Sequence, residues 1–202
     1  MRTLLITFIL MLSFILSACS TVKEASTPAQ NKQTSWDNRH TTLSSIQHWN
    51  IEGMIAVRNQ VKNDSGSANW KWEQNHSNYT MLFYGPMGAG TQKLSGGPGK
   101  VVLQMADGKT ATARSPEALL ASQTGWRLPV SSLYYWIRGL PVPGLSAEKK
   151  FDSFNHLTQL NQQGWMIQYL RYTSVNQVDL PTKIFLVNPQ MNVKMIISQW
   201  NI

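Results

Sequence analysis

One cysteine stands in 202 residues, so no disulfide can close within the chain. Charged residues are also few, 14% of the total, and the basic ones form no Lys/Arg run. A clustered basic face is what nucleic acid would require, so the net charge of +8 does not point there. A mild attraction to anionic headgroups or to an acidic protein partner is the better use of it. The ten carboxylates form no pair in a catalytic-looking motif. His40, His48, His76 and His156 lack metal-ligand spacing. Gly96-Gly97-Pro98-Gly99 lies between two strand-like segments, so it reads as a turn and not a phosphate cradle. No enzyme motif survives, and neither metal nor other cofactor is expected. Long apolar runs are scarce as well: the longest, Leu4 to Leu16, spans thirteen residues, short of the ~20 that a transmembrane helix needs.

That run follows Arg2 and leads through small residues into the cysteine: Leu16-Ser17-Ala18-Cys19. Charge, apolar stretch and small residues make a signal peptide, residues 1–18. The cleavage region resembles the lipobox of bacterial lipoprotein precursors, in which the cysteine is acylated and becomes the new N-terminus. Lipidation of Cys19 gives a lone exported thiol its use. Ser20 is not the aspartate that holds lipoproteins in the inner membrane, which favours the outer membrane, with the chain lipid-anchored and facing the periplasm. From Ser20 to about Ser45 the sequence is rich in Ser, Thr, Gln and Asn without periodicity. It reads as a flexible tether (residues 19–45 with the cysteine), helical toward its end. One folded domain is expected over residues 46–202.

The domain alternates like β-structure. Trp49, Ile51, Ile55 and Val57 share one strand face, and Ala68, Trp70 and Trp72 share another. Asn63-Asp64-Ser65-Gly66 signals a turn, and Asp107-Gly108 a hairpin. Strands are expected at Tyr79–Tyr84, Thr91–Leu94, Val101–Met105 and Thr110–Ala113, and later at Trp165–Tyr172, Ile184–Val187 and Val193–Trp200. Many short strands with close turns mean an antiparallel barrel or strongly curved sheet. Two helices interrupt them. Ser115-Pro116-Glu117 opens the first, and Gly125 is its expected stop. In the second, Leu133, Trp136, Ile137 and Leu140 fall at i, i+3, i+4 and i+7, one apolar stripe that must lie on the concave face of the sheet.

The aromatic content is high: 8 Trp, 6 Tyr and 6 Phe. Tryptophans fill cores, yet several strands are apolar on both faces, as a sheet lined for a hydrophobic ligand would be. The stretch from Gly125 to Pro141, Gly-Trp-Arg-Leu-Pro-Val-Ser-Ser-Leu-Tyr-Tyr-Trp-Ile-Arg-Gly-Leu-Pro, resembles the central signature of the LolB family of outer-membrane lipoprotein receptors. So do Trp49–Arg58, the Trp72 strand, the Pro86-Met87-Gly88 loop, the Gly164-Trp165 strand and the closing Trp200. The resemblance implies a mainly β fold, an incomplete, half-open antiparallel β-barrel enclosing a hydrophobic cavity covered by short helices. It also implies that the protein takes lipoproteins from the periplasmic LolA-type carrier and inserts them into the inner leaflet of the outer membrane, as a monomer. Trp72, Trp136 and Trp165 match the aromatic residues that line the family's cavity, and Leu133 and Ile137 accompany Trp136. Pro86, Met87 and Gly88 match the loop tied to membrane delivery, where leucine is usual at the place of Met87.

Exposing an acyl chain to water costs about 0.8 kcal/mol per methylene, and the sequence carries no nucleotide-binding motif to drive that. Transfer must then pass between touching apolar cavities, downhill in affinity. A second reading stays open from sequence: a lipid-anchored assembly lipoprotein that binds a protein or peptidoglycan and has an ordinary filled core.

Overall fold

The structure, a computed structural model, describes residues 34–202. The expected signal peptide, Cys19 and the expected tether up to residue 33 lie outside the described residues.

Eleven strands form one antiparallel sheet: β1 (His48–Asn59), β2 (Asp64–Asn75), β3 (Asn78–Tyr84), β4 (Gln92–Gly97), β5 (Lys100–Gln104), β6 (Thr110–Ala113), β7 (Glu148–Phe151), β8 (Leu157–Gln162), β9 (Trp165–Val175), β10 (Val178–Val187) and β11 (Met191–Asn201). The spatial order is β6-β5-β4-β3-β2-β1-β11-β10-β9-β8-β7, so the last strand returns to pair with the first. The four-residue strands β6 and β7 are the two edges and do not meet: the barrel is half-open.

The period-2 pattern fixes which face is inside. Trp49, Ile51, Ile55, Val57, Trp70 and Trp72 are all buried, and the residues between them on β1 point outward. Between Glu52 and Gly53 the register of β1 against β11 shifts by one. A Cβ on Gly53 would stand 1.9 Å from the carbonyl oxygen of Ile196, so only glycine lets the backbones approach at this bulge. The first hairpin turns earlier than its Asn63-Asp64-Ser65-Gly66 signal suggests. The Asn59 side chain accepts from the N–H groups of Val61 and Lys62, and Asp64 already begins β2.

Helix α1 (Trp36–Ser45) precedes β1. Ordered packing therefore starts ten residues before the domain boundary expected near Ile46, because Leu43 enters the core and Arg39 reaches a partner far along the chain. The Arg39 guanidinium donates to the Asp179 backbone oxygen at 3.0 Å and meets its carboxylate at 3.4 Å. His156 carries this cluster on, with Nε2 3.0 Å from Asp179 Oδ2 and Nδ1 2.9 Å from Asp152 Oδ2, its ring stacked on Tyr172. Burial pushes the Asp152 carboxyl up, but the amide and ring of His156 and the amide of Phe154 outweigh it, so it sits below the usual carboxylate range. A depressed carboxylate stabilises the fold above its unfolded pKa, and that contribution is lost as pH falls through the folded value. Asp152→Asn is thus expected to cost about 1 kcal/mol near neutrality, with the gap to wild type closing below about pH 4. Urea unfolding at both pH values checks it; a pH-independent gap would contradict the assignment.

Helices α2 (Pro116–Thr124) and α3 (Val130–Trp136) cross the concave face. The Ser115 hydroxyl caps α2 by accepting from the N–H of Ala118, Pro116 opens the first turn, and Gly125 closes it at φ 75°. All four residues of the expected stripe are buried, but the helix stops at Trp136: Leu133 and Trp136 lie on α3, and Ile137 and Leu140 in the turn that follows it.

Candidate functional site

Two cavities lie at opposite ends of the half-barrel, with α2 between them. The first, about 640 Å³, is walled by Trp72, Tyr79, Val101, Val130, Tyr134 and Tyr135, with Gln74, His76 and Arg114 on its rim. This volume falls within the ~300–1,000 Å³ typical of ligand pockets. Its wall belongs to a continuous ring cluster: Trp49 stands 5.1 Å from Trp72 and 5.6 Å from Trp200, and Trp72 is 6.3 Å from Tyr79. The Trp72 indole donates to the Gln74 amide oxygen at 2.9 Å, which fixes the ring plane along the wall. Burial raises the Tyr79 phenol to about 12, so it stays neutral and adds no charge to the apolar space.

The second cavity, about 410 Å³, is walled by Ile55, Val57, Ala68, Phe83, Leu120, Trp126 and Leu128. The Trp126 ring crosses Gly66, where an added Cβ would come within 2.8 Å of it, so glycine makes room for the indole on the sheet.

The structure separates the five residues expected to line one cavity. Trp72 lines the first. Trp136, Leu133, Ile137 and Trp165 line neither of the two; they are buried packing between α3 and the sheet. The Trp136 indole donates to Gln162 Oε1 at 2.9 Å, its carbonyl accepts from the Tyr169 hydroxyl at 2.9 Å, and its ring centroid is 6.4 Å from that of Trp165. The physical reason is closure: with α3 seated on the sheet, its stripe fills the space that an open barrel would leave.

The Pro86-Met87-Gly88 loop is a single 3-10 turn between β3 and β4. Gly85 donates to the Ala89 carbonyl oxygen at 2.8 Å, and the Thr91 hydroxyl bonds that of Gly88 at 2.6 Å, so the loop is closed on itself. Met87 sits at its tip with φ 54°, a left-handed conformation that is uncommon outside glycine, and its side chain is fully exposed. A rigid turn therefore holds an apolar side chain out in water.

Polar keys escaped the sequence reading. Arg138 is buried within the signature helix region and donates to the carbonyl oxygens of Ile46 (2.7 Å), Leu43 (3.2 Å) and Tyr134 (3.1 Å), with the Tyr134 ring 4.2 Å away. It locks α3 to the end of α1. Gln162, on an unpredicted strand, bonds the Trp136 indole and both backbone groups of Val142. Only the placement of Arg138 beside the apolar stripe offered any signal in the sequence.

The unclosed antiparallel half-barrel with helices over an apolar concave face is a fold that two solved structures share. A LolA-superfamily protein from Nitrosomonas europaea superposes with a TM-score of 0.53, covering 84% of this chain and 94% of that one at 7% identity. A DUF1329 family protein from Desulfovibrio piger gives 0.53 as well, over 82% and 90% at 8% identity. Sequence narrows the class. Residues 47–200 match the family described as Outer membrane lipoprotein LolB, and the chain belongs to that family. Outer-membrane lipoprotein LolB of Nitrosococcus oceani is 36% identical over 98% of this chain and 97% of its own length. The protein of the same name from Coxiella burnetii is 37% identical over 93% and 89%, and that from Pseudomonas putida 39% over 82% and 80%.

Proposed function

We propose that this outer-membrane lipoprotein accepts other lipoproteins from a LolA-type periplasmic carrier and inserts them into the inner leaflet of the outer membrane, working as a monomer held there through acylated Cys19. The observation that carries the reading is the pairing of an aromatic-walled cavity under two helices with an exposed apolar loop tip at the other end of the barrel. Broad rings accept acyl chains of varied shape without demanding one geometry. The first cavity is the landing site, with Trp72 on its wall. As more of the chain enters, the α3 stripe gives way and Leu133, Trp136, Ile137 and Trp165 exchange contacts with one another for contacts with lipid. One apolar contact replaces another while the hydrogen bonds of Gln162 and Arg138 stay made, so the exchange is close to neutral and needs no nucleotide. Met87 then meets the headgroup–acyl boundary and eases the cargo out of the cavity.

The test is transfer from a purified carrier loaded with lipoprotein to a tagged chain that begins at Ser20 and lacks the anchor. It should be soluble, capture cargo from the carrier and pass it to liposomes, because binding resides in the folded domain. Cargo that stays with the carrier would overturn the reading, and so would capture that depends on the Cys19 anchor.

A further inference from the structure

Antiparallel pairing puts the β1–β2 hairpin and the β3–β4 loop at the same end of the sheet. Residues 64–68 of β2 run beyond its pairing with β3, which begins at Asn69 and Tyr84. At about 3.3 Å per residue the hairpin stands roughly 17 Å past that point. The second cavity occupies the notch so formed, between Asp64 and Ala68 on one side and Gly85 and Gly90 at the base of the Met87 loop on the other. At the hairpin tip Val61 is 74% exposed. The tip is held firmly: Asn59 Oδ1 accepts from the amides of Val61 and Lys62, each at 3.0 Å, and Gln60 donates to the Gln190 carbonyl oxygen at 2.8 Å. One exposed valine means little by itself. Here two rigid turns present apolar side chains on either side of an apolar notch. The cations at this end of the sheet include Arg58, Lys62, Lys93, Lys109, Arg127 and Lys194, against the carboxylates of Asp64, Asp107 and Glu148, with Asp107 already paired with Lys109 at 2.8 Å. Apolar tips ringed by excess positive charge suit an anionic phospholipid surface.

We propose that Val61 is a second membrane-contact residue, and that Val61 and Met87 bracket the mouth through which an acyl chain passes from the second cavity into anionic phospholipid. This rests on the insertion function proposed above and adds to it a second contact element and an exit.

With Cys19 acylated, a single introduced cysteine is the only free thiol in the full-length lipidated chain. Val61→Cys, Met87→Cys and Leu170→Cys, the last exposed on the outer face, would each carry a fluorophore in liposomes of phosphatidylethanolamine and phosphatidylglycerol. Nitroxide placed on the lipid acyl chains should quench the probe at 61 to a similar degree as that at 87, at least threefold more than at 170. Quenching at 61 should also weaken when phosphatidylglycerol is omitted. Quenching at 87 with 61 as wet as 170 would overturn this inference and leave the proposed function standing. Quenching at neither tip would remove membrane contact from both. Unchanged quenching at 61 without phosphatidylglycerol would overturn the choice of anionic lipid.

Discussion

Met87→Glu should fold, take lipoprotein from the carrier at the wild-type level, and deliver it into liposomes at least tenfold more slowly. Folding is spared because the side chain touches nothing: it is fully exposed on a closed turn whose hydrogen bonds are all made by its neighbours. Acceptance is spared because Met87 lines neither cavity. Delivery suffers because moving a methionine side chain out of water is worth about 1.5–3 kcal/mol, and a carboxylate at the same tip is repelled by hydrocarbon and by anionic headgroups alike. Two companions separate charge from greasiness. Met87→Leu keeps the apolar area and should deliver normally. Met87→Gly relaxes the φ of 54° yet removes the side chain, so it should be no less stable and still deliver poorly. Delivery by Met87→Glu at the wild-type rate would sink the loop's role, and failure already at acceptance would move the loop to the cavity mouth.

The tip was legible because Gly85-Pro86-Met87-Gly88 breaks two strand patterns and leaves an apolar residue with no core to enter. The same kind of local grammar found both helices on the concave face. Ser115, Pro116 and Gly125 have one structural use each in that order, and the apolar spacing from Leu133 marked the second helix, although it stops at Trp136 and leaves Ile137 and Leu140 to be buried from the turn that follows. Strands with one apolar face announced themselves for the same reason. The half-open outcome, by contrast, came from the family resemblance and not from the strands.

What stayed hidden depends on contacts distant in sequence. Glu148–Phe151 is exposed at every position, so edge strand β7 has no apolar alternation to read, and its partner β8 mixes Thr, Gln and Asn with two leucines. Helix α1 looked like tether because its composition is polar; Arg39 finds Asp179 across 140 residues, and no local pattern reports that. The division of the apolar residues between cavity wall and packed core also escaped the sequence. Trp72 and Trp136 are equally buried tryptophans, and only the seating of α3 decides which one borders open space.

Gln162 shows how much such a hidden contact should carry. Its Oε1 accepts from the Trp136 indole at 2.9 Å and the Val142 amide at 2.8 Å, while its Nε2 donates to the Val142 carbonyl oxygen at 3.0 Å. One side chain thus satisfies a buried indole and both backbone groups of the segment that follows α3. Gln162→Leu has nearly the same size and is more apolar, so a hydrophobicity scale alone predicts a gain. We expect the reverse, a loss of about 3 kcal/mol or more in urea unfolding, because a buried donor or acceptor stripped of its partner costs roughly 1–3 kcal/mol. Trp136→Phe keeps most of the ring contact but has no indole N–H to satisfy. In the Gln162→Leu background it should therefore cost less than in wild type, and the two losses should fall short of their sum by about 1 kcal/mol. Additive losses would mean the indole bond contributes nothing. A Gln162→Leu variant as stable as wild type would show that α3 is held on the sheet by packing alone, with no part for the polar key beneath it.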